Sequence, residues 1–345
     1  MSAIVPASGW WGEIQVRNDR PHSRKVYNAL YSPYVHNKGW GIFDSRGCIV
    51  EEAVDRVGSA RALHNQKIDN EPLSSATAWA PERVYTYIGH LHLHFGHFLI
   101  NTFPRLWWAA DGNSEMRVPL LCHCGAAVSN LPDFKFIGEI LGLLDIEIVD
   151  IHAFEAPMRV SCVETPATAL HEQFAVHTIL RDLALKAAAK LSSNSQYDIR
   201  DEPIYVSKTR LKRGVGIFEG ENILEDEARA HGYRIIYPET MSFAEQVKAL
   251  SEHRVITGTV GSGFHTLLFC PPGKRLVGLN AGPDVNSNFG LIDRISGVHA
   301  TYFAPRPDLV DHISGTEVLT THRLLDPQAV ARDYFAEVEK AWKAD

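Results

Sequence analysis

The second half of the chain alternates short apolar runs with amphipathic stretches, and this rhythm predicts its fold. The runs with the length and residue content of buried strands are 204–206, 233–237, 254–257 and 275–279. Helical spacing fills the intervals 223–230 and 242–251, and Ser242 with Glu245 forms a capping-box pattern. Strands separated by single helices predict a parallel sheet with helices on its faces.

Residues 254–279 carry a pattern that is typical of phosphate-binding segments. A strand leads into the turn GTVGSG at 258–263, and an apolar helical run at 264–269 follows until Pro271 stops it. Such a turn presents free backbone N–H groups at the positive end of a helix, where they attract phosphate. An ordinary tight loop is the alternative, because glycine-rich turns are common in α/β domains.

A basic loop leaves the first strand of the same predicted sheet. Its cations are Lys208, Arg210, Lys212 and Arg213. The basic loop and the glycine-rich turn both follow carboxyl ends of parallel strands, so we expect them at one edge, where such sheets bind ligands. Cations from one loop and amides from the other suit a diphosphate. A solvated surface loop is the competing interpretation of the basic run.

A histidine-rich segment marks the first half. The run 83–88 is predicted as a strand, and His92 and His94 alternate on one side of the extended chain that follows it. The helix is predicted to begin at His97. Its apolar face is formed by Leu99, Ile100, Phe103 and Trp107. A strand end that meets a helix start is where α/β folds place functional side chains, which favours a functional role for His97.

Three close histidines also raise the question of a metal site. His92, His94 and His97 have no carboxylate beside them in the sequence, so they give weak support for a metal. Core or capping positions fit His90 and His92 best. The run Cys122-His123-Cys124 lacks a second cysteine pair at zinc-finger spacing. No metal site and no cofactor are therefore predicted.

The other predicted elements follow weaker patterns. Residues 1–88 are predicted to be a strand-rich entry to the first domain. Beyond them, strands are predicted at 118–122, 146–151 and 160–163, and helices at 134–143 and 176–191. Past Leu279 we expect a short helix at 292–295, an edge strand at 302–303 and an irregular stretch from Pro305. A final helix, capped by Asp326, runs to Trp342.

Four small polar residues at 192–195 are the best candidate for a linker between domains. We therefore predict an N-terminal α/β domain over residues 1–195 and a second α/β domain over 196–325. The C-terminal helix, 326–345, has an apolar face that is expected to pack back across the junction. A length of 345 residues is comfortable for two such domains.

Composition narrows the class of protein. With 45% hydrophobic and 22% charged residues, the chain is an ordinary globular protein, and its net charge of −7 argues against wholesale binding to nucleic acid. No run approaches the ~20 apolar residues of a membrane span, and the first residues do not form a secretory signal. The 5 scattered cysteines suit reduced thiols, so we expect a cytoplasmic protein.

Taken in order, the motifs resemble glycosyltransferase family 61. The matching stretches are HFGHFLINTFPRLWW (94–108), PIYVSKTR (203–210), GYRIIYPETMSFAEQVKALSEHRVITG (232–258) and GFHTLLFCPPGKRLVGL (263–279). The family has His-Trp-x-x-Asp/Glu-x-x-Pro-Arg-Leu in the first stretch. It then has a strand ending in Ser-Arg, a Tyr-Pro-Glu turn, and a Gly-x-His-Gly-Ala-Gly-like loop before Leu-Phe-x-Pro-Pro-Gly. The resemblance covers residues 90–108 and 203–280 well and the first 80 residues hardly at all.

The resemblance implies a GT-B architecture, in which two Rossmann-like domains with parallel sheets face a central cleft. The C-terminal domain would hold a nucleotide sugar, usually a UDP sugar, and the N-terminal domain a glycan or glycoconjugate acceptor of surface polysaccharide synthesis. Transfer would invert the anomeric centre without a bound metal. Membrane contact would be peripheral at most, at the inner face, and a homo-oligomer is compatible with the resemblance.

The resemblance also assigns roles to residues. His97 falls on the family's upstream histidine and is the expected general base, and Asn101 and Arg105 fall on its acid and Pro-Arg positions. Two roles are expected for Arg105, a structural one or a contact with the acceptor. Ser207, Lys208 and Arg210 fall on or beside Ser-Arg and are expected at the diphosphate. Glu239 is expected at the nucleoside. The glycine loop is Gly261, Ser262 and Gly263, and His265 beyond it is the expected neutral donor to phosphate.

Three departures from the family pattern bear on activity. Val260 stands where the family has its loop histidine, Asn101 where it has an acid, and Lys208 where it has arginine. They keep open a non-catalytic member that binds a nucleotide sugar or a glycan within a larger assembly. A metal-dependent hydrolase at His92, His94 and His97 is the third and weakest alternative.

Overall fold

The computed structural model describes residues 2–36, 38–59, 61–62, 66, 78–111, 118–191, 197–211, 216–315 and 320–344. The chain divides into two compact units. Met1–Gly12 together with Ala188–Asp345 form what we call the terminal unit, and Glu13–Ala187 form the central unit. The first twelve residues thus go with the second half of the chain. The predicted linker at 192–195 lies outside the described residues, so the boundary at 195 stays a prediction.

Most strands are short. In chain order they are β1 Ile4–Pro6, β2 Gly9–Trp11, β3 Gln15–Arg17, β4 Ser23–Ser32, β5 Gly41–Phe43, β6 Arg56–Val57, β7 Arg61–Ala62, β8 Val84–Leu91, β9 Leu120–Cys124, β10 Ile151–His152, β11 Met158–Pro166, β12 Leu170–His171, β13 Ala175–His177, β14 Ile204–Val206, β15 Ile217–Glu219, β16 Arg234–Ile236, β17 Val255–Thr259, β18 Arg275–Leu279, β19 Asp284–Asn286, β20 His299–Pro305, β21 Val310–Gly315 and β22 Thr320–Leu324.

The helices include several 3-10 segments. The α-helices are α1 Phe95–His97, α2 Trp107–Ala110, α3 Lys135–Leu143, α4 Ile179–Ala189, α5 Glu221–Ala230, α6 Phe243–Ser251, α7 Ser287–Ser296 and α8 Pro327–Lys343. The 3-10 segments are Glu51–Ala53, Phe103–Arg105, Val128–Asp133, Ile148–Asp150, Pro238–Thr240, Ser262–Phe269 and Pro307–Leu309, and Phe98–Thr102 is π-helical. Among the described residues, no helix combines the length and the apolar character that crossing a bilayer requires.

The terminal unit is built on a sheet of strand order β1-β20-β18-β17-β14-β16. All neighbours in it run parallel except β1, which pairs antiparallel with β20. The parallel sheet predicted from the alternation of strands and helices is therefore present. The strand predicted at 302–303 is present within the longer β20, but its predicted position at the edge is wrong, because β20 lies between β18 and β1.

Alternate residues of this sheet enter two different cores. Tyr205, Val255 and Val277 pack with α5 and α8 on one face. Their neighbours Ile256 and Leu276 pack on the other face, against α6 and the 3-10 segment Ser262–Phe269. Burial of both faces explains why these strands appear as continuous apolar runs in the sequence.

The C-terminal helix α8 docks on the sheet of its own unit. The hydroxyl of Tyr334 on α8 pairs with Thr257 Oγ1 at 2.7 Å and donates to Val277 O at 2.6 Å, and Gly258 N donates to it at 3.1 Å. Asp326 caps the helix by accepting from Ala329 N, as the sequence predicted. These contacts place α8 against β17 and β18 of its own unit. The sequence had instead suggested that this helix packs across the domain junction.

The central unit has a mixed sheet of order β10-β9-β8-β11-β4-β5. The strands from β10 to β11 run parallel, whereas β4 and β5 pair antiparallel. The sheet thus departs from the all-parallel form that the resemblance implies. The predicted strand at 146–151 is mostly wrong, since Ile148–Asp150 is a 3-10 turn before the two-residue β10.

Two further expectations for the last third of the chain are corrected. The short helix expected at 292–295 is the longer α7, which begins at Ser287 behind an Asn286 cap. The stretch from Pro305, expected to be irregular, contains the antiparallel pair β21 and β22. Alternation in these strands is weak because most of their described residues are exposed or only partly buried.

A buried carboxyl group on α7 makes the stability of the terminal unit depend on pH. Tyr302 donates its hydroxyl hydrogen to Asp293 Oδ2 at 2.7 Å. Burial raises the pKa of Asp293 to about 7, although the Tyr302 hydrogen bond opposes the rise. The folded protein therefore keeps a proton that the unfolded chain releases from about pH 4 upward. The stabilisation is complete below that pH and is lost as the pH rises through 7.

We expect Asp293→Asn to remove this pH dependence, because an amide oxygen accepts the Tyr302 bond without titrating. The unfolding free energy of the parent should fall relative to the variant by at most about 4 kcal/mol between pH 4 and pH 8. Urea unfolding of both proteins at several pH values measures the difference, in which other titrating groups cancel. A difference that is constant with pH would contradict the assignment.

Candidate functional site

The loops that follow β14, β16 and β17 leave the terminal sheet at the same edge. Val206, the last residue of β14, lies opposite Ile236 of β16 and Gly258 of β17 in parallel register. The structure therefore brings the basic loop and the glycine loop to one place, as the sequence predicted, and adds the Tyr-Pro-Glu turn beside them. Lys212 and Arg213 of the basic loop lie outside the described residues.

The pairing of β14 with β17 requires a glycine at position 258. Its φ of +145° is a conformation that L-residues with side chains rarely adopt, and an added Cβ would lie 2.3 Å from Val206 O. The turn predicted at 258–263 thus begins inside the strand, which continues to Thr259.

The glycine loop leads directly into the 3-10 segment Ser262–Phe269. Phe264 N donates to Gly261 O at 3.0 Å, so the amides of Ser262 and Gly263 precede the intrahelical hydrogen bonds. A Cβ on Gly263 would contact Val206 Cγ1 at 3.3 Å and Pro238 Cγ at 3.4 Å. The loop therefore lies directly over the end of β14 and beside the Tyr-Pro-Glu turn.

Lys208 lies beneath the glycine loop. Its side chain is buried, and its Nζ donates to Val260 O at 2.9 Å and to Gly216 O at 2.6 Å. Burial lowers the pKa of Lys208 to about 8, although the nearby Glu221 favours the charged form. Its ammonium group thus holds the loop from the inside. The expected contact of Lys208 with a diphosphate stays a prediction.

Two carboxyl groups of α5 lie beside Ser207 and Lys208 in the interior of the terminal unit. They were not identified from the sequence. Glu221 Oε1 accepts hydrogen bonds from Lys208 N at 3.0 Å and from Thr259 Oγ1 at 2.9 Å. Ser207 donates its hydroxyl hydrogen to Glu225 Oε2 at 2.8 Å. Burial raises the pKa of Glu221, whereas at Glu225 hydrogen bonds outweigh burial and lower the pKa. Ser207 therefore serves as a buried link between the basic loop and α5.

Arg210 and Glu239 occupy the outer part of the edge. Both are exposed, and the Arg210 guanidinium stacks on the ring of Tyr237 at 3.6 Å from its centroid. Desolvation raises the pKa of Glu239, and the neighbouring Arg210 opposes that shift. Arg210, one of the cations predicted at this edge, is thus accessible to solvent.

His265 and Val260 both lie in the interior of the terminal unit. The His265 ring stacks on Phe289 of α7 with centroids 4.6 Å apart. Val260, at the position of the family's loop histidine, packs with Phe264 and Tyr302 in a hydrophobic core. His265 is therefore buried beside α7, and its expected role as a donor to phosphate stays a prediction.

In the central unit, His97 stands at the junction of α1 and the π-helical turn Phe98–Thr102. Its Nδ1 lies 3.0 Å from Asn101 Oδ1, and Asn101 is itself buried. π-Helical turns are rare and occur frequently at functional sites. The helix begins at Phe95 rather than at His97, so His97 closes its first turn and is half-buried.

A carboxyl group that the sequence reasoning missed lies behind Asn101. Asn101 Nδ2 donates to Glu172 Oε2 at 3.2 Å, and Glu172 is 7% exposed. The chain thus places a carboxyl group, an amide and an imidazole in one hydrogen-bonded row. No local pattern marks Glu172, because it lies far from Asn101 in the sequence.

The other histidines form a ladder of aromatic rings. His92 lies against His90 and His97, with centroids at 4.3 and 5.4 Å, and His94 lies 5.6 Å from His97. His92 is buried and His94 is exposed, although the rings of both lie against His97. Burial lowers the pKa of His94, and His97 lowers it further. Within the described ranges, no group of three or more His, Cys, Asp or Glu is arranged to hold a metal ion.

Arg105 is fully buried and uses all its N–H groups inside the protein. Nε and Nη2 donate to Asp55 Oδ1 at 2.9 and 2.7 Å, and Nη2 also donates to Val54 O at 3.0 Å. Nη1 donates to Glu52 O at 2.7 Å and to Pro166 O at 2.8 Å. An arginine has five such donors, so none is left for an acceptor. Of its two expected roles, the structure favours the structural one.

The side chain of Arg105 passes over Gly89 in β8. A Cβ at Gly89 would lie 2.5 Å from Arg105 Cδ, and the glycine has a φ of +80°. The ion pair with Asp55 therefore lies beside the carboxyl end of β8, from which the histidine segment continues. It also holds the end of β8, where Asp55 Oδ2 accepts from His90 N at 3.5 Å.

The comparison with protein families agrees with these motifs. The family model described as Glycosyltransferase 61 matches residues 95–277, which is just over half of the chain. The chain belongs to glycosyltransferase family 61. The match includes His97, Asn101 and Glu172 as well as the basic loop and the glycine loop of this glycosyltransferase. The curated proteins gave no match to the chain.

We expect Arg105→Met in this glycosyltransferase to act on stability rather than on substrate binding. Loss of the guanidinium leaves Asp55 buried without its charge partner, which costs about 3–5 kcal/mol of unfolding free energy. The double variant Asp55→Asn/Arg105→Met should recover part of that loss. Denaturant unfolding measures both. A variant of unchanged stability whose KM for the acceptor rises would instead show that Arg105 contacts substrate.

Proposed function

We propose that this family-61 protein is an inverting glycosyltransferase that moves a sugar from a nucleotide sugar, most simply a UDP sugar, to a glycan or glycoconjugate hydroxyl. Family membership supports transfer between a sugar donor and an acceptor. The observation that carries the proposal is the convergence of the glycine loop, the basic loop and the Tyr-Pro-Glu turn at one sheet edge. Ligands of parallel sheets bind at that edge.

The diphosphate is proposed to bind over the glycine loop. The amides of Ser262 and Gly263 point along the start of the 3-10 segment, and Arg210 is an exposed cation at the same edge. Lys208 contributes through the field of its buried ammonium and by holding Val260 O. Amides and cations fixed in advance stabilise the negative charge that grows on the departing nucleotide. Transfer by this route does not call for a bound metal.

The nucleoside is proposed to lie beside Glu239. Glu239 is exposed on the Tyr-Pro-Glu turn, next to the stacked Arg210 and Tyr237, and a Cβ on Gly263 would lie 3.4 Å from Cγ of the turn's proline. A carboxylate can accept two hydroxyl hydrogens of a ribose. Glu239 would then orient the nucleoside while the loop holds the diphosphate.

His97 is proposed as the general base. It is half-buried, and the Asn101 amide holds its Nδ1. Its Nε2 can take the hydrogen of the acceptor hydroxyl while the new C–O bond forms at the anomeric carbon and the bond to the diphosphate breaks. Such a direct displacement inverts the anomeric centre. The GT-B architecture, a cytoplasmic location and peripheral membrane contact are parts of the proposal that rest on the family resemblance.

The proposal predicts selective, metal-independent binding of a nucleotide. A thermal-shift titration with a panel of nucleotides and nucleotide sugars should give a shift for one base class, and EDTA should not change it. His97→Ala should keep that shift and lose transfer by about a hundredfold or more, whereas His94→Ala serves as the neighbouring control. Binding without turnover in the parent protein would favour the non-catalytic alternative. Unchanged turnover in His97→Ala would exclude His97 as the base.

Ser262→Pro tests the loop amide without disturbing the fold. Ser262 is the first residue of the 3-10 segment, where proline is tolerated, and Gly261 before it is extended at φ −171° and ψ 173°. Loss of one charge-assisted hydrogen bond should raise the nucleotide Kd about tenfold to a hundredfold. Ser262→Ala removes the hydroxyl and keeps the amide, so it is the matched control. Equal Kd values for both variants would show that this amide does not bind the diphosphate.

A further inference from the structure

Glu172 is held firmly in a buried position of the central unit. Gly58 N donates to Glu172 O at 2.9 Å in a bridge between β6 and the turn after β12. The next residue, Gln173, has a φ of +56°, a conformation that non-glycine residues adopt only where the surrounding structure enforces it. The carboxyl group therefore has a defined place next to Asn101.

Two hydrogen bonds connect this carboxylate to His97, and their donors and acceptors can be assigned in sequence. A carboxylate only accepts, so the NH₂ side of Asn101 must face Glu172, in agreement with the Nδ2–Oε2 distance of 3.2 Å. The amide oxygen then faces His97 Nδ1 at 3.0 Å. An amide oxygen also only accepts, so Nδ1 must carry the hydrogen. In the neutral ring, Nε2 then has the free lone pair.

We propose that Glu172 is a positioning residue, which acts through Asn101 to keep Nε2 of His97 as the atom that accepts a proton. The inference rests on the proposed function, in which His97 removes the hydrogen of the acceptor hydroxyl. When that hydrogen moves to Nε2, the ring becomes an imidazolium with both nitrogens protonated. The negative charge of Glu172, one amide away, stabilises that cation.

The consequence of losing Glu172 follows from the symmetry of the amide. Without the carboxylate, the Asn101 amide can turn over and present its NH₂ group to His97 Nδ1. Nδ1 would then accept, the hydrogen would move to Nε2, and the ring could no longer take a proton at that atom. The wrong tautomer of a catalytic histidine costs orders of magnitude in rate.

Three variants separate orientation from charge. Glu172→Ala removes both, and kcat should fall about tenfold to a hundredfold with KM nearly unchanged. Glu172→Gln can still accept from Asn101 through its amide oxygen, so kcat should fall less while the acidic limb of the kcat/KM profile moves to lower pH. Asn101→Asp/Glu172→Gln places the carboxylate directly on His97 and should restore kcat, with the acidic limb at higher pH.

Glu164→Gln is the matched control, because Glu164 is a buried carboxyl group of the same unit that is bonded to Ser23. It should leave kcat and the pH profile unchanged. In the described part of the chain, the other titratable groups that lie against His97 are His92 and His94. They are the same in all these variants, so changes between profiles report the altered carboxyl group.

The tautomer of His97 provides a readout that does not depend on turnover. Nitrogen NMR of the full chain should show hydrogen on Nδ1 in the parent and in Glu172→Gln, and a shift toward Nε2 in Glu172→Ala. An unchanged tautomer and pH profile in Glu172→Ala, or no recovery in the double variant, would overturn the role of Glu172. Full activity of His97→Ala would instead overturn the proposed base, whatever the NMR result.

Discussion

The parallel pairing of β14 with β17 is the constraint on which the rest of the terminal unit depends. It sets Val206 directly against Gly258, so the loops that follow both strands emerge side by side. Only because they are neighbours can Lys208, from one loop, reach the carbonyl oxygen of Val260 in the other. The glycine loop, the 3-10 segment behind it and the adjacent Tyr-Pro-Glu turn then take their places around that contact. The chemistry proposed for this edge is thus a consequence of strand register.

In the central unit, a carboxyl group is linked to His97 indirectly, through the amide side chain of Asn101. The family has an acid where this chain has Asn101, yet a carboxyl group is still present at Glu172, behind the amide. Arg105, nearby in sequence, is engaged with Asp55 and the backbone and takes no part in this row. With asparagine at position 101, a carboxyl group is still linked to His97 by two hydrogen bonds, through the amide of Asn101.

The sequence allowed correct prediction of features that depend on local pattern. The strands at 204–206 and 275–279, the capping box of Ser242 with Glu245 and the meeting of the two loops all follow from periodicity and from the geometry of parallel sheets. Features that depend on distant pairing were missed. Glu172, Glu221 and Glu225 are charged residues in unremarkable contexts, and only the fold shows that they are buried and hydrogen-bonded. Lys208 lies at the predicted edge, and its contacts with two carbonyl oxygens could not be foreseen, because a sequence does not show whether a cation faces solvent or carbonyl oxygens.

The environment of Lys208 resembles the coordination shell of a bound alkali cation. Two carbonyl oxygens, at 2.6 and 2.9 Å, surround a compact positive charge that the covalent chain delivers. A free ion in the same place would exchange with the medium, and its occupancy would follow the salt concentration. A tethered ammonium is present at every ionic strength. The contact that Lys208 makes with the glycine loop therefore needs no dissolved cation, because its positive charge is part of the polypeptide.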